Sequence, residues 1–448
     1  MTCKYDGTRA LILGAGVSGE AAALLLLARG SRVTLVDARA ENNLSPAAAR
    51  IRLAGGEVAF DVCELPQGAF DLCVVSPGFA RNHPWLAVCQ SRGLPMISEL
   101  ELGFCYWPGK VLAVTGSKGK SSVVKFCADT LTLAGFPASP AGNYGIPLSQ
   151  LALERPDLMW AVTEVSSFQM EHTVTFKPEI AILLNVQDDH LDRHADMSEY
   201  KGLKLKLFAN MDERGYALLP AGLDEEGRVP EGVPSRRFGA DAGCDWAYAE
   251  HAVHGFRDGH RVRVSVENAW FDNEILGLAA AASSAALLHA GLTLVQVEQG
   301  FKAFVPLAHR LQRVAVSKGG VTFVDDSKAT SLAATAAALR MVAKPVRLIA
   351  GGLLKEKDLE TIKELLTQTT KKVYLIGRCA GQMYRAWSPV VPCEECGTLE
   401  CAVDAAFRDA SAGETVLLSP GTASFDQFTS YRERGERFIS RVRAVADL

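Results

Sequence analysis

Residues 110–122 read Lys-Val-Leu-Ala-Val-Thr-Gly-Ser-Lys-Gly-Lys-Ser-Ser, an apolar strand that runs into small residues and two lysines. A helix pattern follows from Ser122. A chain that leaves a strand and enters a helix through Gly116, Ser117, Lys118 and Gly119 can wrap backbone N–H groups around a phosphate, and the helix N-terminus adds partial positive charge. Lys120 would neutralise the outer phosphates of a nucleoside triphosphate, and the hydroxyl of Ser121 would face Mg²⁺, with Ser122 closing the loop. Gly116 and Gly119 stand three positions apart, a shorter spacing than the standard phosphate loop. With a strand on one side and a helix on the other, nucleotide binding is the reading to prefer over an idle turn.

Other polar groups follow apolar runs. Glu164 ends a strand pattern at 160–163, where an open α/β sheet presents its ligands. Taken alone it reads as a surface acid starting a helix; beside the phosphate loop it could complete a Mg²⁺ shell. Residues 185–194, Asn-Val-Gln-Asp-Asp-His-Leu-Asp-Arg-His, concentrate oxygen and imidazole groups after the next strand, and His190 is the metal candidate among them. Lys201, Lys204 and Lys206 sit on a helix pattern whose ordinary reading is a solvated basic face. Near the N-terminus, Gly14, Gly16 and Gly19 follow a strand, and Asp37 ends the next one. That pattern suits a diphosphate, and spacing alone does not separate UDP from NAD. Further on, residues 325–331 and 419–428 place acids, a lysine and hydroxyls after two strands. They could form an amino-acid pocket or simply cap helices.

These groups need sheets to hold them. Apolar runs at 10–13, 32–36 and 71–75 alternate with helix patterns, as do runs at 321–324, 346–349, 372–376 and 415–418. This βαβ rhythm predicts parallel sheets with right-handed crossovers. The expected fold is α/β with three domains in series: a Rossmann-like unit at 1–99, a central P-loop-type ATPase at 100–308 and a Rossmann-like unit at 309–448. Residues 222–258, rich in glycine, proline and charge, read as loops and short antiparallel strands. A net charge of −4 argues against a nucleic-acid binder. No apolar run reaches membrane-spanning length, and the polar start lacks a signal-peptide core, so a cytoplasmic protein without membrane insertion is expected. The 11 scattered cysteines fit reduced thiols, and Cys393 and Cys396 lack the second pair that structural zinc requires.

Taken in order, these motifs resemble the Mur ligases, and within them the glutamate-adding branch. The resemblance rests on the phosphate loop, residues 142–147 (Gly-Asn-Tyr-Gly-Ile-Pro), 164–171, 185–193, His309-Arg310, 326–330 and 419–428. It implies that Gly16, Val17, Ser18, Asp37, Arg39, Ser76 and Gly78 hold the UDP moiety of the substrate. Asn143, Ser166, Gln169 and His190 would face its muropeptide. ATP would lie on residues 116–122 with Asn273, Arg310, Asp326 and Lys328. Two Mg²⁺ ions would be held by Ser121, Glu164, His190 and a carbamylated Lys204, whose neutral amine burial and a nearby cation would favour. Lys120, His190, Lys204 and Arg310 would be the catalytic set, and Thr330, Lys355, Ser424, Phe425 and Tyr431 would lie near glutamate. The implied reaction is ATP-driven amide formation between the carboxylate of UDP-N-acetylmuramoyl-L-alanine and glutamate, through an acyl phosphate, by a monomer. D- or L-glutamate, another Mur-type or folylpolyglutamate-type ligase, a non-catalytic nucleotide-binding homologue and, on the glycine turn alone, an NAD-dependent dehydrogenase stay open. The chain departs from the family pattern at Lys118, where asparagine is usual, at Leu276, where the adenine-side motif has a second asparagine, at Ser331, and at Leu353-Leu354 in place of Asp-Gly.

Overall fold

The computed structural model of the chain describes residues 5–41, 45–187, 193–225, 227–241, 243–257, 259–354 and 358–446. Among them, twenty strands form three sheets, so the α/β reading holds. The first sheet comprises β1 (Arg9–Leu13), β2 (Arg32–Val36), β3 (Glu57–Ala59), β4 (Leu72–Val75) and β5 (Met96–Ser98), in the order β3-β2-β1-β4-β5 and parallel throughout. Its strands are covered on both faces, which is why they read as unbroken apolar runs. Leu11, Leu13, Val36, Cys73 and Val75 pack on one side, and Ala10, Ile12, Leu35, Leu72 and Val74 on the other. The order reverses at β1, so the turns after β1 and β4 part and open a crevice at their carboxyl ends.

The second sheet contains β6 (Lys110–Thr115), β7 (Ala138–Gly142), β8 (Trp160–Glu164), β9 (Ile180–Leu183), β10 (Tyr216–Pro220), β11 (Ser235–Gly239), β12 (Trp246–Ala249), β13 (Ala252–Arg257) and β14 (His260–Ser265). The order is β14-β13-β12-β11-β10-β9-β6-β8-β7. Here the expectation for residues 222–258 needs correcting. β11 and β12 continue the sheet in parallel, and only β13 and β14 turn back. Their short, half-exposed segments lack the apolar run that marks a parallel strand. The turn-rich composition between them belongs to the connections. One face of this sheet (Val111, Ala113, Ala181, Leu183) joins the same core as the first sheet. The opposite face (Leu112, Val114, Ile182) packs beneath the helices Lys120–Leu133 and Glu274–His289. Gly300 lets the next helix approach closely, since a Cβ there would come within 2.3 Å of Thr130 Oγ1.

The third sheet contains β15 (Gln312–Val316), β16 (Thr322–Asp325), β17 (Val346–Gly351), β18 (Thr370–Ile376), β19 (Cys393–Gly397) and β20 (Thr415–Leu418), ordered β15-β16-β20-β17-β18-β19. Only β15 runs antiparallel, along the edge. Compactness divides the chain in two, Met1–Phe304 with the first two sheets and Val305–Leu448 with the third. Among the described residues no helix is long and apolar enough to cross a membrane.

Two buried acids tie the helix Glu99–Tyr106 to the central sheet's surroundings. Glu101 accepts hydrogen bonds from Val174 N (3.0 Å), Thr175 N (2.7 Å), Thr175 Oγ1 (2.6 Å) and Phe176 N (3.0 Å). Glu101→Gln would turn an amide NH₂ toward some of these donors and should cost about 2–4 kcal/mol, read from the denaturant midpoint. Glu99 Oε1 accepts from Ser149 N at 2.6 Å. Burial nevertheless pushes its carboxyl up to about 7. An unfolded glutamate titrates at about 4.3, so between there and the folded value the native state binds the extra proton, and this group's contribution to stability falls as pH rises. Glu99→Gln should therefore lose less thermal stability between about pH 5 and 8 than the wild type does; equal losses would contradict the assignment.

Candidate active site

The first crevice is a cleft of about 480 Å³ at the carboxyl end of the first sheet. Gly16, Val17, Ser18, Asp37, Arg39, Ser76 and Gly78 all line it, so the structure brings together the seven positions singled out in this part of the sequence. Gly14 has φ 94°, and a Cβ there would come within 3.1 Å of both Ser76 Oγ and the Phe79 ring. Gly19 is tighter still, 1.8 Å from the Gly14 carbonyl oxygen by the same measure. Phe79 and His83 complete the wall and were not foreseen. Their signal was an aromatic pair just after Ser76-Pro77-Gly78. Asp37 accepts from Ala15 N (2.8 Å), Arg39 N (2.9 Å), Arg39 Nε (2.9 Å) and Arg39 Nη2 (2.8 Å). Burial pushes this carboxyl up, but the Arg39 and Ala15 hydrogen bonds outweigh it and hold the acid at about 2. Four donors use most of a carboxylate's acceptor capacity. Little is left for the ribose hydroxyls that the acid of an NAD turn would take.

At the switch point of the second sheet, β6 is flanked by β8 and β9 and ends in the phosphate-loop sequence. Gly116 and Gly119 take φ 149° and 87°, and Gly119 caps the helix that begins at Lys120, with Ser121 and Ser122 in its first turn. Asn185, from the end of β9, braces the loop. Its Oδ1 accepts from Ser117 N (3.0 Å) and Lys118 N (2.9 Å), and its Nδ2 donates to Lys118 O (3.1 Å). Ser117 Oγ donates to Gln187 O at 2.9 Å. The Gly116 carbonyl accepts from Lys120 Nζ at 2.8 Å and from Lys204 Nζ at 2.9 Å. Lys204 is 1% exposed, so the solvated-face reading fails for it, and its ammonium lies 4.2 Å from the Tyr200 ring centroid. Tyr200 was missed, although a separation of four residues puts it on the same helix face as Lys204.

Glu164 is the last residue of β8, and it is buried. Oε1 accepts from Asn143 Nδ2 at 2.7 Å, and Oε2 has no hydrogen-bond partner among the described residues. Ser166 and Gln169 form a capping box on the helix Ser167–Glu171, Ser166 N donating to Gln169 Oε1 at 3.0 Å. Asn273 caps the helix Glu274–His289, accepting from Ile275 N and Leu276 N. All three side chains make helix-capping hydrogen bonds. His190 falls outside the described residues, as do Asp188, Asp189 and Lys355. No group of three His, Cys, Asp or Glu that could hold a metal occurs among the described residues. Mg²⁺ needs no such cage, since one or two carboxylates with phosphate oxygens and water suffice. The buried, half-partnered Glu164 fits that chemistry.

In the C-terminal unit the polar groups again gather at strand ends. Asp326 accepts from Ser419 Oγ (2.8 Å) and Leu311 N (3.2 Å). Burial pushes its carboxyl up to about 7 against those bonds and Arg310. Arg310 Nε is buried without a partner among the described residues. Its neighbours His309 and Leu311 take φ 62° and 45°, a region non-glycine residues rarely enter. Lys328 Nζ stands 5.3 Å over the Tyr431 ring. Ser331, just after Thr330, caps the helix Leu332–Met341. Ser424 is buried, while Phe425 is 68% exposed. Leu353, one of the departures from the family pattern, exchanges backbone hydrogen bonds with Ala423 (2.9 and 3.1 Å).

The chain matches the Mur ligase middle domain over residues 114–282 and the Mur ligase, glutamate ligase domain, over residues 309–421. It is 37% identical, over 100% of both chains, to a UDP-N-acetylmuramoylalanine–D-glutamate ligase of Nitratidesulfovibrio vulgaris. A ligase of the same name from Koribacter versatilis is 34% identical over 98% of both chains. Among solved structures, a MurF ligase from Thermotoga maritima in complex with ADP aligns over 98% of each chain at 17% identity with a TM-score of 0.61. The UDP-N-acetylmuramate–alanine ligase of the same organism aligns over 98% of this chain and 99% of its own at 14% identity with a TM-score of 0.59, a likeness of fold. With relatives above 30% identity along its whole length and two domain matches in order, the chain belongs to the Mur ligase family.

Proposed function

We propose that this ligase joins the L-alanyl carboxylate of UDP-N-acetylmuramoyl-L-alanine to the amine of D-glutamate at the expense of ATP, as a cytoplasmic step in peptidoglycan precursor synthesis. The curated relatives carrying that name support the substrate assignment. The observation that carries the chemistry is the loop at the switch point of the second sheet, where two lysines meet one carbonyl at a helix N-terminus. Three sections divide the work: residues 1–99 hold the UDP group, 100–308 the ATP and 309–448 the amino acid.

A carboxylate lacks a usable leaving group, so it must first be activated. The substrate carboxylate attacks the γ-phosphorus in line, the bond to the bridging oxygen breaks, and ADP leaves. The helix N-terminus and Lys120, released from the Gly116 and Ser117 carbonyls, offset the charge that develops on the phosphoryl oxygens. Mg²⁺, with Glu164 and Ser121 among its ligands, would add to that charge neutralisation. The glutamate amine then attacks the acyl carbon, the bond from that carbon to the phosphate oxygen breaks with its electron pair leaving on phosphate, and nitrogen gives up a proton as the amide forms. Positioning dominates, since no side chain needs to form a covalent intermediate. Lys204 enters as a carbamate. Its reaction with CO₂ consumes a neutral amine and releases a proton, and the side chain that would carry it is buried. The product is an anion able to serve as a hard-oxygen ligand.

Purified chain with Mg²⁺ should release phosphate only when ATP, UDP-N-acetylmuramoyl-L-alanine and D-glutamate are all present, and L-glutamate should not replace the D form. Lys120→Ala should lower kcat by about 10³-fold, roughly 4 kcal/mol of transition-state stabilisation, with the thermal melting curve preserved. Lys204→Ala should be inactive and regain turnover when a short-chain carboxylic acid is added. Full activity of Lys204→Ala without rescue would remove the carbamate from the mechanism.

A further inference from the structure

The C-terminal helix, Tyr431–Val445, sets a fully buried cation beneath the strand ends of the third sheet. Arg434 Nε donates to Ser327 Oγ (3.0 Å), and its Nη2 donates to Ser327 O (2.8 Å) and Thr422 O (3.1 Å). Ser327 lies in the loop after β16 and Thr422 in the loop after β20. The loop after β17 closes the third side. A Cβ on Gly352 would come within 2.6 Å of Thr422 Oγ1 and 3.4 Å of Arg434 Nη1, so a glycine lets this loop approach the guanidinium. The next helix residue is equally constrained. A Cβ on Gly435 would fall 2.1 Å from His309 Nδ1 and 2.8 Å from Asp325 Oδ2, the two atoms that share a 2.7 Å hydrogen bond just ahead of Arg310.

A buried cation is expensive, and an apolar side chain of similar size would usually stabilise a core as well or better. Burial pulls the Arg434 guanidinium down to about 10, with Asp426, Asp325 and Asp326 opposing it, so the charge persists at neutral pH. What arginine adds over an apolar residue, or over lysine, is a rigid planar fork that fixes several acceptors at once. Its acceptors are the Ser327 hydroxyl and the Ser327 and Thr422 carbonyls, in the two loops that carry Lys328, Thr330 and Ser424.

We infer that Arg434 is a positioning residue for the incoming amino acid, holding the 326–331 and 419–425 loops in the mutual placement that the glutamate subsite requires. This rests on the amino-acid role proposed above for the C-terminal unit. The residue touches no reacting atom; it acts through the loops.

The test uses the full chain with Arg434→Lys, which keeps the charge and loses the fork, and Ser327→Ala, which removes one acceptor together with the 2.8 Å hydrogen bond from Ser327 Oγ to Tyr431 O. Arg434→Lys should raise the KM for D-glutamate about tenfold or more and leave the KM for UDP-N-acetylmuramoyl-L-alanine within about twofold, because misplacement acts on one subsite. Ser327→Ala should shift the same constant in the same direction by a smaller factor. In Arg434→Ala, added guanidinium ion should lower the glutamate KM toward the wild-type value. Hydrogen exchange in Arg434→Lys should quicken in residues 326–331 and 419–425 and stay unchanged in β16 and β20. An unaltered glutamate KM, or faster exchange spread evenly over the unit, would overturn the inference. Exchange needs no turnover. If the wild type shows no glutamate-dependent phosphate release, the ligase reading fails, while the exchange pattern still decides whether Arg434 holds the loops.

Discussion

The carbonyl oxygen of Gly116 receives hydrogen bonds from two ammonium groups, Lys120 at 2.8 Å and Lys204 at 2.9 Å. Two cations sharing one acceptor lie no more than about 6 Å apart, and at an effective dielectric of 20 their repulsion is about 3 kcal/mol. Both groups lie at the N-terminus of the helix Lys120–Leu133, where the helix dipole adds partial positive charge. A triphosphate placed there turns repulsion into attraction. A carbamate on Lys204 would relieve the same crowding by reversing one charge. Both outcomes depend on Gly116, whose φ is 149° and whose carbonyl accepts from both lysines.

The three sheets repeat one arrangement. In each, the candidate site residues follow the carboxyl ends of parallel strands, near a point where the strand order changes direction. Some buried polar atoms near these ends lack hydrogen-bond partners among the described residues, as do others inside helices and strands such as Thr130 Oγ1, Thr163 Oγ1 and Ser284 Oγ. Glu164 Oε2, Arg310 Nε, Thr422 Oγ1, Asp426 Oδ1 and Arg434 Nη1 are buried without partners among the described residues. Native interiors leave few such atoms, and those that remain tend to mark places where a ligand or a closing movement supplies the missing group. The apolar strands behind them supply the rigidity. Strands such as β4, β17 and β20 are buried along their whole length.

Much of this was legible in the sequence because it is local. A run such as Val-Arg-Leu-Ile-Ala-Gly followed by glycine announces a buried strand and its turn, and β2 and β20 fall where the pattern put them. The residues of the first cleft were legible for the same reason, since strand ends converge wherever order reverses. What escaped depends on partners far along the chain. β11 gains its parallel pairing from β10 and β12 from β11, and nothing in their own composition says so. Arg434 reads as one of many charges on an amphipathic helix until its acceptors, Ser327 and Thr422, are brought to it by the fold.

The central claim is that the phosphate loop delivers a phosphoryl group to the substrate carboxylate. It can be tested by labelling both oxygens of the L-alanyl carboxylate of UDP-N-acetylmuramoyl-L-alanine with oxygen-18 and weighing the phosphate released during turnover with D-glutamate. Activation through an acyl phosphate requires one labelled oxygen to leave with phosphate while the other stays in the new amide. Unlabelled phosphate accompanying amide formation would contradict the account, because the carboxylate would then never have been bonded to phosphorus.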